Sequence, residues 1–254
     1  MLLIDHPFLL LLLSAFVVGA LIGGVGVGGI LLIPALAAFG GLSMREAMAT
    51  ALFTFMFTGI TGTLLFQRRG SIDWRIAVPV CAGALIFAFI GAWLNSVTRP
   101  QTLTVLLAAV IIFAGVYTLL SSQVRKSAPS SDKLRAEQTL LVGIGSIAGL
   151  GAGWTGVGGP VLSVPLMVMF GFPALASIGA SQVIQILAAF SGTLGNLAFG
   201  SIDFALALPV TVAEIAGVFC GAAAAHAVSQ AVLRRFVGVL CIPVGIFLLA
   251  QAFA

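Results

Sequence analysis

Two glycine-rich runs carry the residues best suited to holding a ligand. Gly23-Gly24-Val25-Gly26-Val27-Gly28-Gly29 precedes a short apolar segment, and so does Gly151-Ala152-Gly153-Trp154-Thr155-Gly156-Val157-Gly158-Gly159-Pro160. A helix that starts after such a run presents unpaired backbone N–H groups and a partial positive charge, which attract anions. Glycine lets a ligand approach the backbone closely, and Pro160 suits a first helical position. The backbone part of the candidate site is therefore Gly26, Gly28 and Gly29 with Trp154, Thr155, Gly156, Gly158 and Gly159. Neither run is a dinucleotide or phosphate-loop fingerprint, because no strand precedes it and no Gly-Lys-Ser/Thr ends it. The competing account is close helix packing, for which membrane proteins also use glycine.

Polar side chains supply the second part. Thr50, Thr54, Thr58 and Thr61 recur every three or four residues and so share one helix face. A later segment offers Ser181, Gln182 and Gln185, followed by Ser191, Thr193 and Asn196. In lipid such groups must find partners, so they face protein or a cavity. Either they bind substrate or they tie helices together. Glu214 is the one acid near the middle of an apolar segment, and intramembrane carboxyls are costly and often functional. It is the candidate for proton coupling. No nucleophile, base and acid form a catalytic set. His6 and His226 fall near segment ends, and Cys81, Cys220 and Cys241 have neither metal spacing nor a paired motif. The expectation is a protein that is not an enzyme and holds no cofactor or metal.

The elements that must position these residues are apolar. Of 254 residues, 61% are hydrophobic and 7% charged, against roughly 25% charged in a soluble domain. A water-facing surface cannot be made from so few, so the chain reads as an all-α polytopic membrane protein whose main partner is the lipid bilayer. The net charge of +4 comes from Lys and Arg between apolar runs, where it sets membrane orientation and gives no reason to expect nucleic acid. The N-terminal run lacks a basic region and carries Asp5, so it is expected to stay in the mature protein.

The chain also repeats itself. Residues 62–73 and 192–203 share Gly-Thr-Leu and, five residues on, Gly-Ser-Ile-Asp at an offset of 130. Gly26-Val27-Gly28-Gly29 and Gly156-Val157-Gly158-Gly159, Pro79 and Pro209, and Gly91 and Gly221 keep the same offset. By this register the counterpart of Glu214 is Ala84, so its role would be asymmetric. Each half resolves into five apolar segments, near 8–22, 28–41, 44–67, 74–95 and 101–121, then 138–152, 157–171, 174–198, 204–227 and 231–253. The first two of each half are short and glycine-interrupted. The expected organisation is a first repeat over 1–121, a linker over 122–137 and a second repeat over 138–254. Ser43-Met44-Arg45-Glu46 is a capping box, while Asp73 and Asp203 stand where N-caps should be.

Charge placement suggests that the halves are inverted. Arg68, Arg69 and Arg75 lie between the third and fourth segments, and Arg125, Lys126, Lys133 and Arg135 lie in the linker. In the second half the third-to-fourth loop has Asp203 and no base, and Arg234 and Arg235 come one loop later. An odd number of crossings per half puts all these clusters in the cytoplasm and both termini outside, with Arg45 and Arg99 as exceptions. Inverted repeats are a recurrent plan of secondary transporters, with the site near the midplane.

The duplicated motif, Gly26 to Pro34 and Gly156 to Pro165, resembles the TauE/SafE sulfite exporter family. So do Ala49-Thr50 and Ala180-Ser181 at the openings of the third segments, the two Gly-Ser-Ile-Asp blocks and the overall length. The resemblance covers essentially the whole chain. One departure is that Gly26-Val27-Gly28-Gly29 lacks an uninterrupted glycine triplet. The resemblance implies a bacterial inner-membrane transporter for a sulfur-containing anion such as sulfite, thiosulfate or a C2 sulfonate like sulfoacetate. Export by alternating access is the expected direction and mode, although the family includes uptake systems. A coupling proton or sodium ion and a homodimer are both compatible with it. The alternatives are a channel-like or structural membrane protein, or a transporter of a non-sulfur solute.

Overall fold

The computed structural model describes residues 6–26, 28–97, 131–199 and 202–253, with helical positions at 101, 105, 108–109, 112–113, 115–116 and 119–120. Arg125 and Lys126 of the linker, with Arg99, Gly200 and Ser201, lie outside the described residues. The described residues form helices joined by short turns and contain no strand. In chain order the helices are α1 (His6–Val25), α2 (Leu32–Gly40), α3 (Met44–Arg68), α4 (Trp74–Val97), α5 (Ser131–Thr155), α6 (Pro160–Met169), α7 (Ala174–Phe199), α8 (Phe204–Ala227) and α9 (Gln230–Phe253). A 3-10 turn over Gly29–Leu31 leads into α2. Stretches of α1, α3, α4, α7 and α8 are each long and apolar enough to cross a bilayer. The chain is an all-α polytopic membrane protein.

Local signals act where the sequence places them. Ser43 accepts from the Glu46 N–H and the Glu46 carboxylate accepts from Ser43 N–H, which closes the capping box at the start of α3. The Asp203 carboxylate accepts from Leu206 N–H at 2.9 Å, and that of Asp73 accepts from Arg75 N–H at 2.9 Å. Pro160 opens α6.

The first segment of each half differs from the expectation. Rather than short runs over 8–22 and 138–152, α1 has 20 residues and α5 has 25, and both run straight through their glycines. Only the second segments are short: α2 has 9 residues and α6 has 10, or roughly 14–15 Å of helix. A glycine costs a helix about 1 kcal/mol relative to alanine. In an apolar medium, though, an unpaired peptide group costs more than that, so the helix persists until the chain must turn back. The turns are made at Gly26 and Gly28 and at Gly156–Gly158. Gly26 and Gly156 stand at φ 76° and 72°, the left-handed region that glycine enters without strain.

The glycines retained within helices bring backbones together. A Cβ on Gly19 would run into the carbonyl of Glu214, and one on Gly221 into that of Ala20, which clamps α1 to α8. A Cβ on Gly149 would meet the backbone of Ala84, and one on Gly91 the carbonyl of Leu150, which clamps α4 to α5. These contacts repeat at the offset of 130: 19 and 149, 84 and 214, 91 and 221, 20 and 150. Small residues at such crossings let helices associate by dispersion and close contact, without a hydrophobic drive.

Between these pairs, α3 and α7 cross the middle of the molecule. Gly192 packs on Leu52, Gln185 bonds Phe55 and Thr58, and Gly62 lies against Gln182. Contacts that climb α3 descend α7, so the two third segments run antiparallel.

Candidate functional site

The two glycine turns meet. A Cβ on Gly29 would come within 2.6 Å of Val157 O, in the opposite turn. One on Gly26 would come within 2.7 Å of Val164 Cγ2 on α6 and 3.1 Å of Ser181 Oγ on α7. Gly26, Gly28, Gly29, Gly156, Gly158 and Gly159 are all buried. The helix starts that follow have no side-chain cap, at either Gly28 or Gly159. The first N–H groups of a helix have no partner within it, so donors from both halves collect in one buried region.

Polar side chains of α7 border this region. Gln182 is fully buried, and its Nε2 donates to Ile22 O at 2.9 Å. That carbonyl also accepts from Gly26 N–H at 3.0 Å, so the amide braces the turn at the end of α1. The Gln182 Oε1 has no hydrogen-bond partner among the described residues. It is pressed against Gly62, where any side chain would displace it. Gln185 reaches across to the other half, donating to Phe55 O at 3.0 Å and to Thr58 Oγ1 at 2.7 Å. The Ser181 hydroxyl donates to Ile178 O in its own helix.

The threonine face of α3 distributes itself among second-half elements. Thr50 Oγ1 accepts from Asp203 N–H at 3.1 Å, at the start of α8. Thr54 lies beside the Glu214 carboxyl, but its hydroxyl donates to Ala51 O at 2.9 Å. Both Glu214 carboxyl oxygens are thus buried without a hydrogen-bond donor among the described residues. Thr58 receives Gln185, as above.

Not every candidate joins the centre. Thr50 is committed to the α8 cap. The Thr155 hydroxyl bonds Gly151 O at 2.7 Å, within α5, and the Trp154 backbone packs on Gly91 of α4. Gly156 lies against Met48, near the start of α3.

Two residues of the centre escape a reading by residue type. Phe55 lies between the turns: a Cβ on Gly29 would be 2.8 Å from its Cζ, and one on Gly158 would be 3.5 Å from its Cδ2. Nothing marks it among the other apolar residues of α3. Gly62, which positions the Gln182 amide, stands out only as part of a repeated block.

Two buried glycine turns thus meet, with the Gln182 amide braced on one of them, inside a bundle of helices long and apolar enough to span a membrane. The profile of the family described as "Sulfite exporter TauE/SafE" matches residues 11–248. The chain belongs to the TauE/SafE family. It is a multi-pass membrane transporter for a small solute, and its relatives carry similar descriptions. It is 27% identical to the probable membrane transporter protein YdhB of Bacillus subtilis (strain 168), over 89% of this chain and 94% of that protein. It is 24% identical to the probable membrane transporter protein MJ0441 of Methanocaldococcus jannaschii, over 82% and 85%. A probable membrane transporter protein of Xylella fastidiosa (strain 9a5c) is also 24% identical, over 95% and 94%.

At one end of this TauE/SafE bundle Arg68, Arg69 and Arg75 are exposed. A cavity of about 620 Å³ opens there, lined by Ser71, Asp73, Arg75 and Pro173 among others. His226 ties this end together. Its Nδ1–H donates to Ala222 O at 2.6 Å, and its Nε2 hydrogen-bonds with the Ser71 hydroxyl at 2.8 Å.

Proposed function

We propose that this protein is a secondary transporter that exports a small sulfur-containing anion, such as sulfite, thiosulfate or a C2 sulfonate like sulfoacetate, across the bacterial inner membrane. The observation that carries the reading is the meeting of Gly29 with Val157, where helix starts from both halves converge in the buried centre. A sulfonate or sulfite has several acceptor oxygens and a permanent charge. Backbone N–H groups and the Gln182 amide suit it without a buried Lys or Arg, whose desolvation would be costly. The proposed site comprises Gly26, Gly28, Gly29, Gly158 and Gly159, with Ser181, Gln182 and Gln185 beside it, and no covalent chemistry is assigned to it.

In this reading the repeats over 1–121 and 138–254 are inverted about the membrane plane. The antiparallel course of α3 and α7 and the repeated glycine contacts support it. Both termini are periplasmic, while the linker and the Arg234–Arg235 loop are cytoplasmic. Glu214 carries a coupling proton, because its carboxyl is buried beside Thr54 with no hydrogen-bond donor among the described residues and is placed to take up and release a proton as exposure changes.

Purified protein in proteoliposomes, screened for flux of sulfite, thiosulfate, sulfoacetate, isethionate and taurine, tests the substrate class. Transport of at least one of these is the expected result, and no binding or flux of any would defeat the proposal. Cysteine labelling of intact cells at positions 126 and 235 tests the topology, which requires both to be shielded from the outside.

A further inference from the structure

We propose that the Phe55 side chain is the central gate: in this conformation its ring fills the position of the anion, and the space it leaves on swinging away limits the size of anion accepted. The inference rests on the reading of the two glycine turns as the anion site. One edge of the ring serves both turns. A Cβ on Gly29 would lie 2.8 Å from Cζ and 3.0 Å from Cε2, while one on Gly158 would lie 3.5 Å from Cδ2 and 3.9 Å from the same Cε2. The residue is 1% exposed, so the ring is enclosed on all sides.

Two features make this ring a moving part rather than ordinary core. First, it covers helix starts that have no side-chain cap. A phenyl ring cannot accept the N–H bonds that such starts offer, and buried backbone donors left unpaired are rare in folded proteins. An anion in the place of the ring would satisfy them. The apolar seal and the polar ligand therefore compete for one space, which is the condition for two alternative states. Second, the backbone of Phe55 is held while its side chain carries no polar tether. Phe55 O accepts from Gln185 Nε2 at 3.0 Å and from Thr58 Oγ1 at 3.1 Å, so movement is confined to side-chain rotation. The opposite turn has no aromatic equivalent, since a Cβ on Gly159 would meet Ile184 Cγ2 at 2.8 Å. The gate belongs to one half only.

The test uses Phe55→Ala, the milder Phe55→Leu and the bulkier Phe55→Trp in the full-length protein. One measurement needs no substrate. With Cys81, Cys220 and Cys241 replaced, Ser181→Cys reports how fast a small water-soluble thiol reagent reaches the centre. We expect Phe55→Ala to raise the labelling rate about tenfold, with Phe55→Leu intermediate. The second measurement is proteoliposome flux of methanesulfonate against butanesulfonate. Opening the gate should shift that ratio about tenfold toward the larger anion, within the range that methylene-scale differences in pocket fit produce. Phe55→Trp should exclude butanesulfonate further. Should Phe55→Ala fail to fold, Phe55→Leu carries both tests. A folded variant that labels at the wild-type rate overturns the gate, and so does an unchanged size ratio in a protein that transports sulfonates. Faster labelling in a protein that moves no sulfonate or sulfite keeps the gate and rejects the anion reading.

Discussion

In the α1–α8 pair Gly19 lies against the backbone of Glu214, and in the α4–α5 pair Gly149 lies against that of Ala84. The positions correspond at the offset of 130, and the crossings are equally close. The side chains at the second position are not equivalent: one is a methyl, the other a carboxyl beside Thr54. Close packing asks only that one partner be glycine, because backbone meets backbone there. The side chain opposite points elsewhere and is free to differ. The close crossings thus constrain the glycines at corresponding positions while leaving the facing side chain free to differ.

The largest effects should come from filling the crossings. Gly19→Leu and Gly145→Leu each force a side chain into the partner backbone, at Glu214 and Val80 respectively. Each should cost about 3 kcal/mol or more, the upper range of overpacking, as a collapse of thermal stability in detergent. Gly143→Leu, with nothing within 4 Å of its Cβ position, should leave stability nearly unchanged. A large loss in one pair with none in the other would break the equivalence.

Glu214→Gln tests the asymmetry. It keeps the shape of the side chain but cannot titrate. If the carboxyl carries the proton, flux in the wild type falls about tenfold per pH unit on the alkaline side of its titration, and the variant loses that dependence. Unaltered pH dependence would leave Glu214 a structural residue and the two pairs chemically alike.

The two amides of α7 separate next. Gln185 spends its donors on Phe55 and Thr58, so Gln185→Ala should cost about 1–2 kcal/mol of stability. Gln182 spends one Nε2 hydrogen on Ile22 O, and the second is the one that could donate to an anion. Gln182→Ala should weaken anion binding by several-fold with a smaller change in stability. A binding loss under about twofold, or 0.4 kcal/mol, would leave Gln182 a tie between helices only.

The smallest difference lies between the turns themselves. Gly26→Ala meets both a left-handed φ and Val164 Cγ2 at 2.7 Å, whereas Gly158→Ala, at φ 89°, meets nothing closer than 3.5 Å. Backbone strain alone, about 1–2 kcal/mol, should account for Gly158→Ala. Gly26→Ala should lose more, read as the difference in melting temperature.

The sequence by itself determined the solvent, the helices and the duplication. With 7% charged residues no soluble surface can be built, and backbone groups in lipid must be satisfied within helices. The bounds of α3, α4, α7, α8 and α9 fall within two residues of the apolar runs, and at α3, α4 and α8 the Ser43, Asp73 and Asp203 side chains accept backbone N–H bonds by local chemistry. What only the tertiary structure decided is the pairing of those helices and the use of their polar groups. Gly23 and Gly24 read as part of an interruption, yet they stay helical with the α8 backbone against them. Gln185 reads as a ligand, yet its donors face Phe55 and Thr58, since a side chain's partner depends on rotation and crossing that composition does not encode. Phe55 is one apolar residue among many in α3 until the two glycine turns close on its ring. A helix of apolar residues carries no mark of which one will stand at the centre.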